Sequence, residues 1–199
     1  MMKFAGRESW RMGEDMAWPL TVALYIRDAL RLPAAMPFPI PPLTPAVPER
    51  MPVASPALEI ALADEWVLWF FDLLANHLDM PRGASIEYFS LWDRGPGFRE
   101  AVEKHFESAA AAADLAFDGY FHTLVVDKKL GMSMTRLVAA IDRELGHRAA
   151  PFNLDVRVLP VEGEWIYRSG LNQVLVSEAT RKDPAALRRL LGPIIAELA

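Results

Sequence analysis

From Ala57 to Asp79 the chain reads ALEIALADEWVLWFFDLLANHLD, and no polar interruption in it is longer than two residues. At 100° per residue Trp66, Phe70, Leu73 and His77 share one face, and Glu65, Leu68, Asp72, Asn76 and Asp79 share the opposite one. Apolar residues fill the flanks, so the pattern predicts a helix enclosed by other elements on most sides. Ser55 is placed to cap it and Pro56 to occupy its first position, where a missing N–H costs nothing. Pro81 and Gly83 mark the turn beyond it. This segment is the expected centre of the fold.

The flanking patterns are weaker. Residues 1–14 show no period and read as a loose arm. A helix capped near Asp15, with Pro19 in its first turn, is expected to run to Pro33. Residues 84–92 suggest a short strand or buried turn. Phe98, Val102, Phe106, Ala109 and Ala113 predict a helix from Pro96 or Gly97 to about Asp114, followed by a turn at Asp118–Gly119. β-branched Thr123, Val125 and Val126 favour a strand over 120–126. Ser133 or Thr135 opens a helix that Gly146 ends. Leu154–Val161, Trp165–Ser169 and Val174–Ser177 have strand composition and short connections, which predicts an antiparallel meander over about 154–177. Asp183 and Pro184 open a last helix, 184–198, whose Leu187, Leu190, Leu191, Ile194, Ile195 and Leu198 form an apolar face that covers one side of the sheet. The expected class is α+β: a mainly helical first two thirds around 57–79, then the meander and its covering helix. The expected division is an arm and helix over 1–32, a strap over 33–56, and a single globular domain over 57–199.

Composition changes this picture most in the strap. Nine of the 16 prolines fall between Pro33 and Pro56, glycine is absent there, and the only charges are Glu49 and Arg50. Such a segment is stiff and extended, in contrast to a Gly/Ser linker. Its PxxP spacings, Pro39–Pro42 and Pro42–Pro45, suit a docking ligand, with Phe38, Ile40, Pro41, Pro42 and Leu43 as the contacting set. The alternative is that these residues pack on the strap's own domain or on a partner subunit.

The whole chain carries a net charge of −5, which argues against coating nucleic acid or an anionic membrane. There is no cysteine, so thiolate catalysis, disulfides and Cys-ligated zinc are excluded. The acidic residues near the N-terminus break a signal-peptide pattern. Glu59, Asp64, Glu65 and Asp72 speak against a transmembrane role for 57–79, since a mid-bilayer carboxylate costs about 2.5–3.5 kcal/mol. A cytoplasmic protein is the expectation.

No motif of high specificity carries chemistry. The histidines fall in no HxxxH, HExxH or HxH spacing, and Glu144 with His147 makes a lone ExxH where a di-metal bundle needs two. No catalytic residue, metal ligand or cofactor is assigned. Glu65, Asp72 and Asp79 recur every seven residues as an acidic stripe, which suits a solvated face or, with the histidines, acid–base or metal chemistry. Lys128 to Arg143 is locally basic and loosely resembles the turn of a helix-turn-helix reader. His77, His122, Tyr167, Arg168 and Asn172 are the candidate ligand or partner contacts. These patterns point first to a non-catalytic interaction, assembly or accessory protein with a protein partner or self-association. The alternatives are a small metal-dependent or acid–base hydrolase and a DNA-binding regulator.

Overall fold

The structure is a computed structural model that describes residues 10–33, 38–48, 55–148 and 150–199. The expected arm over 1–9 and the strap residues 34–37 and 49–54 lie outside the described set. The class is α+β: helices make up most of the chain, and a four-stranded sheet lies under a C-terminal helix. Contacts divide the chain into two compact units, one of Ala17–Gly119 and one that joins the N-terminal strand to Tyr120–Ala199. The division within the expected 57–199 domain therefore falls between Gly119 and Tyr120.

The first unit is helical. Helix α1 (Trp18–Leu30) is buried along nearly its whole length, and Pro19 occupies its first turn as expected. Its N-cap is Ala17, not Asp15, and makes no side-chain cap. Helix α2 (Pro56–Asn76) opens on Ser55, whose Oγ accepts the Leu58 N–H at 3.3 Å. Trp66, Trp69, Phe70 and Leu73 of α2 are fully buried. The two indoles also satisfy their polar edges: Trp66 Nε1 donates to Ala23 O and Trp69 Nε1 to Phe89 O, each at 2.8 Å. Residues 84–92 form no strand; Ile86–Phe89 is a 3₁₀ turn whose Phe89 plugs the core against Trp18, Trp69 and Phe106.

Helix α3 runs from Pro96 to Val126, through both the turn expected at Asp118–Gly119 and the strand expected over 120–126. The alanine run Ala109–Ala113 explains the difference. Once a helix is nucleated by strong formers, one glycine and a few β-branched residues cost about 1 kcal/mol or less each and do not stop it. Asp118, read as a turn residue, is instead clasped in the helix by Arg82, with Nη1 at 2.5 Å and Nη2 at 2.9 Å. That guanidinium holds the Asp118 carboxyl below its ordinary range.

The second unit holds the sheet. Strand β1 (Arg11–Met16) corrects the expected loose arm over its residues: it is an edge strand parallel to β2 (Asn153–Leu159). Strands β3 (Ile166–Gly170) and β4 (Gln173–Ser177) form an antiparallel hairpin, but the order is β1-β2-β4-β3, with β2 parallel to β4. The expected meander is therefore corrected. The connection 160–165 is long enough to step past one strand. Burial decides which strand takes the centre. Val174, Leu175 and Val176 are buried on both sides and fill the middle, whereas β3 is only half-buried and takes the edge.

Helix α4 (Lys128–Gly131), α5 (Ser133–Leu145), α6 (Glu178–Lys182) and α7 (Pro184–Leu198) complete this unit. Gly146 ends α5 in the left-handed region, φ 73°, and Asp183 caps α7 by accepting the Ala185 N–H at 2.8 Å. Arg168 Nη1 ties β3 to α7 through Glu197 at 2.7 Å.

Candidate functional site

Within the helical unit, the end of α2 and the 3₁₀ turn after it bring together three side chains with chemical potential. Phe89 is held in the core, and the next residue, Ser90, is thrown into the left-handed region at φ 51°, ψ 50°. A non-glycine residue there carries local strain, which persists only when its surroundings fix it. Ser90 Oγ lies 3.1 Å from Nε2 of His77, the residue that caps the C-terminus of α2. Asp72 Oδ2 lies 3.8 Å from the same ring nitrogen, and Asp72 Oδ1 accepts the Asn76 amide at 2.8 Å. The Asp72–Asn76 pair is a one-turn pairing on α2, so the carboxylate is held from its far side. Ser90, His77 and Asp72 are each only partly covered. Tyr88 and Trp92, two residues either side of Ser90, are exposed by 62% and 82%.

This arrangement differs from a serial relay in which a carboxylate orients the second ring nitrogen. Here both oxygens approach Nε2. The distances rank them: the hydroxyl is within hydrogen-bonding reach and the carboxylate is not.

The other expected contacts do not gather. His122 is exposed on α3. Tyr167 stacks on Trp165, centroids 6.4 Å apart, while its neighbour Arg168 points to the other face of the sheet and bonds Glu197 and the carbonyls of Gly170 and Leu171. Asn172 is an exposed turn residue whose carbonyl accepts the Asp155 N–H. Turn chemistry accounts for the Arg168–Asn172 group. In the strap, Phe38, Ile40 and Leu43 are buried within the helical unit, Pro41 is half-buried and Pro42 exposed. Arg27 holds this segment by donating to Ile40 O at 2.9 Å and Pro41 O at 2.8 Å, and Asp28 accepts the Leu43 N–H at 2.8 Å. Phe38 meets Phe71 edge-on at 6.1 Å.

The acidic stripe is divided among separate tasks. Glu65 accepts the Gly95 N–H at 3.1 Å, Asp72 faces His77, and Asp79 is exposed. Glu144 of the lone ExxH is paired with Arg188, and His147 is exposed. Among the described residues no group of three or more histidines and carboxylates could hold a metal ion, and no helix is long and apolar enough to cross a membrane. In the basic stretch, α4 is capped by Asp127 and follows a helix, α3, not a strand.

Sequence reasoning missed two constellations. One is Ser90, which no local motif marks. The other is a buried network in the sheet unit. Arg181, fully buried, donates to both Glu14 oxygens, from Nε at 2.7 Å and from Nη2 at 2.9 Å, and to Ser133 Oγ at 2.6 Å. Tyr120 OH donates to the same Glu14. All partners are satisfied and the arginine is closed to solvent, so this network holds elements together and offers no open position to a ligand. A cavity of about 480 Å³ between α5 and α7 has apolar walls from Ile141, Leu145 and Pro193, with Arg188 and Glu144 at its rim. Compared with known proteins, the chain matches no protein-family model, no curated protein and no solved structure.

Proposed function

We propose that the chain is an interaction or assembly protein, working in the cytoplasm, whose target is a protein partner or a second copy of itself. One observation carries the reading. Within the helical unit, five large apolar side chains stand more than half exposed: Ile60 (59%) and Leu68 (60%), two turns apart on α2, Tyr88 (62%) on the 3₁₀ turn, Trp92 (82%) just beyond it, and Leu115 (75%) on α3. Single exposed apolar residues are ordinary, but aromatic side chains left in water are the residue types that anchor interfaces. The strap is a second exposed element. While Phe38, Ile40 and Leu43 fasten it, Pro39, Pro42 and Pro45 are exposed at three-residue spacing. That spacing repeats once per turn of a polyproline II helix.

The test is sedimentation velocity over a range of concentrations, comparing the chain with an Ile60→Lys/Leu68→Lys/Trp92→Ala variant. Self-association that the variant abolishes, with the unfolding midpoint unchanged, supports the reading. A concentration-independent monomer that also retains no binding partner in affinity capture counts against it.

A small hydrolase using the acidic stripe and a histidine is the second reading. The approach of Ser90, His77 and Asp72 is the observation that favours it.

A further inference from the structure

We propose that Ser90 is a nucleophile that accepts an acyl group from an aryl ester, with His77 as its general base. The proposal rests on the hydrolase reading and names its reacting atoms.

Four observations support it. Ser90 is one of two non-glycine residues with positive φ among the described residues, an unfavoured backbone state that persists only where the surroundings fix it. Its Oγ is within hydrogen-bonding distance of an imidazole nitrogen, the pairing that activates a serine. Asp72, itself held by Asn76, places a carboxylate 3.8 Å from that same nitrogen, where the positive charge of the imidazolium would develop. The hydroxyl is only partly covered, and Tyr88 and Trp92, each two residues away in the chain, are exposed aromatic rings, the type of surface an aryl leaving group would meet. The Ser90–His77 contact alone fits a structural hydrogen bond; the carboxylate 3.8 Å from the nitrogen that would gain the proton adds a charge partner for the protonated ring.

The step balances as follows. With the ring proton on Nδ1, Nε2 takes the Ser90 hydroxyl proton as Oγ forms a bond to the ester carbonyl carbon. The tetrahedral adduct collapses, the bond from carbonyl carbon to aryl oxygen breaks, and the phenolate departs with that electron pair and takes the proton from His77. Acyl-Ser90 remains. In the second half water attacks the carbonyl carbon and gives its proton to Nε2; the bond from carbonyl carbon to Oγ breaks, Oγ takes that proton back from Nε2, and the carboxylic acid and free Ser90 are released.

The experiment uses the full chain and p-nitrophenyl acetate, read by peptide mass analysis and by p-nitrophenol release. The expected result is one acetyl group on the peptide carrying Ser90, absent in Ser90→Gly, with the labelling rate lowered about 100- to 10,000-fold in His77→Gln. Glycine is the chosen replacement because it adopts the left-handed conformation freely, so loss of label in that variant is not loss of fold. Circular dichroism of both variants checks this. Absence of acetyl on Ser90 together with p-nitrophenol release that Ser90→Gly leaves unchanged, or a His77→Gln variant that reacts at the parent rate, overturns the proposal and leaves the pair as a structural clip. Acetylation without repeated turnover upholds the nucleophile and removes the hydrolase reading on which it was built, so the two failures are distinguishable.

Discussion

Tyr120 shows how one buried side chain makes stability depend on pH. Its hydroxyl donates to Glu14, and burial first, then the neighbouring Glu14 charge, pushes the phenol well above its ordinary 10.0; Arg181 opposes this only in part. The folded chain therefore keeps the Tyr120 proton at a pH where the unfolded chain has lost it. The resulting stability is fully present below the ordinary phenol value and declines as the pH rises beyond it. The slope for one such group approaches about 1.4 kcal/mol per pH unit. Denaturant unfolding of the chain and of Tyr120→Phe, measured from about pH 9 to pH 11.5, is expected to show a shallower alkaline decline in the variant. Every other group is common to both proteins and cancels in the comparison, so equal slopes would contradict the assignment.

At the scale of elements, α3 gives the sharpest expectation, because the sequence and the structure disagree about Gly119. A glycine in a turn can require positive φ, and alanine there is strained. In the structure Gly119 is inside a helix, its φ is not positive, and a Cβ built on it meets nothing within 4 Å. Gly119→Ala is therefore expected to stabilise the chain by about 0.5–1 kcal/mol, read as a rise in the denaturation midpoint. A fall would restore the turn. The same case shows what the pattern could convey. Caps at Ser55 and Asp183 are legible because each is a local hydrogen bond between near neighbours, and the helix end at Gly146 because glycine takes the left-handed conformation freely. Apolar periodicity likewise located α2 and α7. The strand order was not legible. It depends on burial of both faces of β4, which comes from segments far away in the chain. Residues 11–16 were missed as a strand because RMGEDM alternates poorly; its pairing with β2 supplies what its own composition lacks. Of the candidate contacts, His77 was singled out from its helical face, but Ser90 was not, since their contact forms across a loop whose path no local rule sets.

At the scale of the whole molecule, the sheet depends on a segment more than a hundred residues distant in sequence. Strand β1 pairs with β2 from Arg11↔Asn153 to Met16↔Val158, and Glu14 on it neutralises the buried Arg181. Removing residues 1–16 takes away both the backbone partner and the charge partner. A buried ion stripped of its counter-charge costs about 3–5 kcal/mol, a large part of the roughly 5–15 kcal/mol that holds a typical domain folded. The truncated chain is therefore expected to lose hydrogen-exchange protection at Val156, Val158, Val174 and Val176. The full-length Glu14→Met/Arg181→Met variant separates the two causes. It keeps the strand and removes both charges together, a replacement that is often near neutral, whereas Arg181→Met alone leaves Glu14 uncompensated. If strand pairing is the larger contribution, the double variant retains protection at those four valines and the truncation does not. If the truncated chain stays protected there, β1 is an ornament on a sheet that stands without it, and the parallel register with β2 has no part in stability.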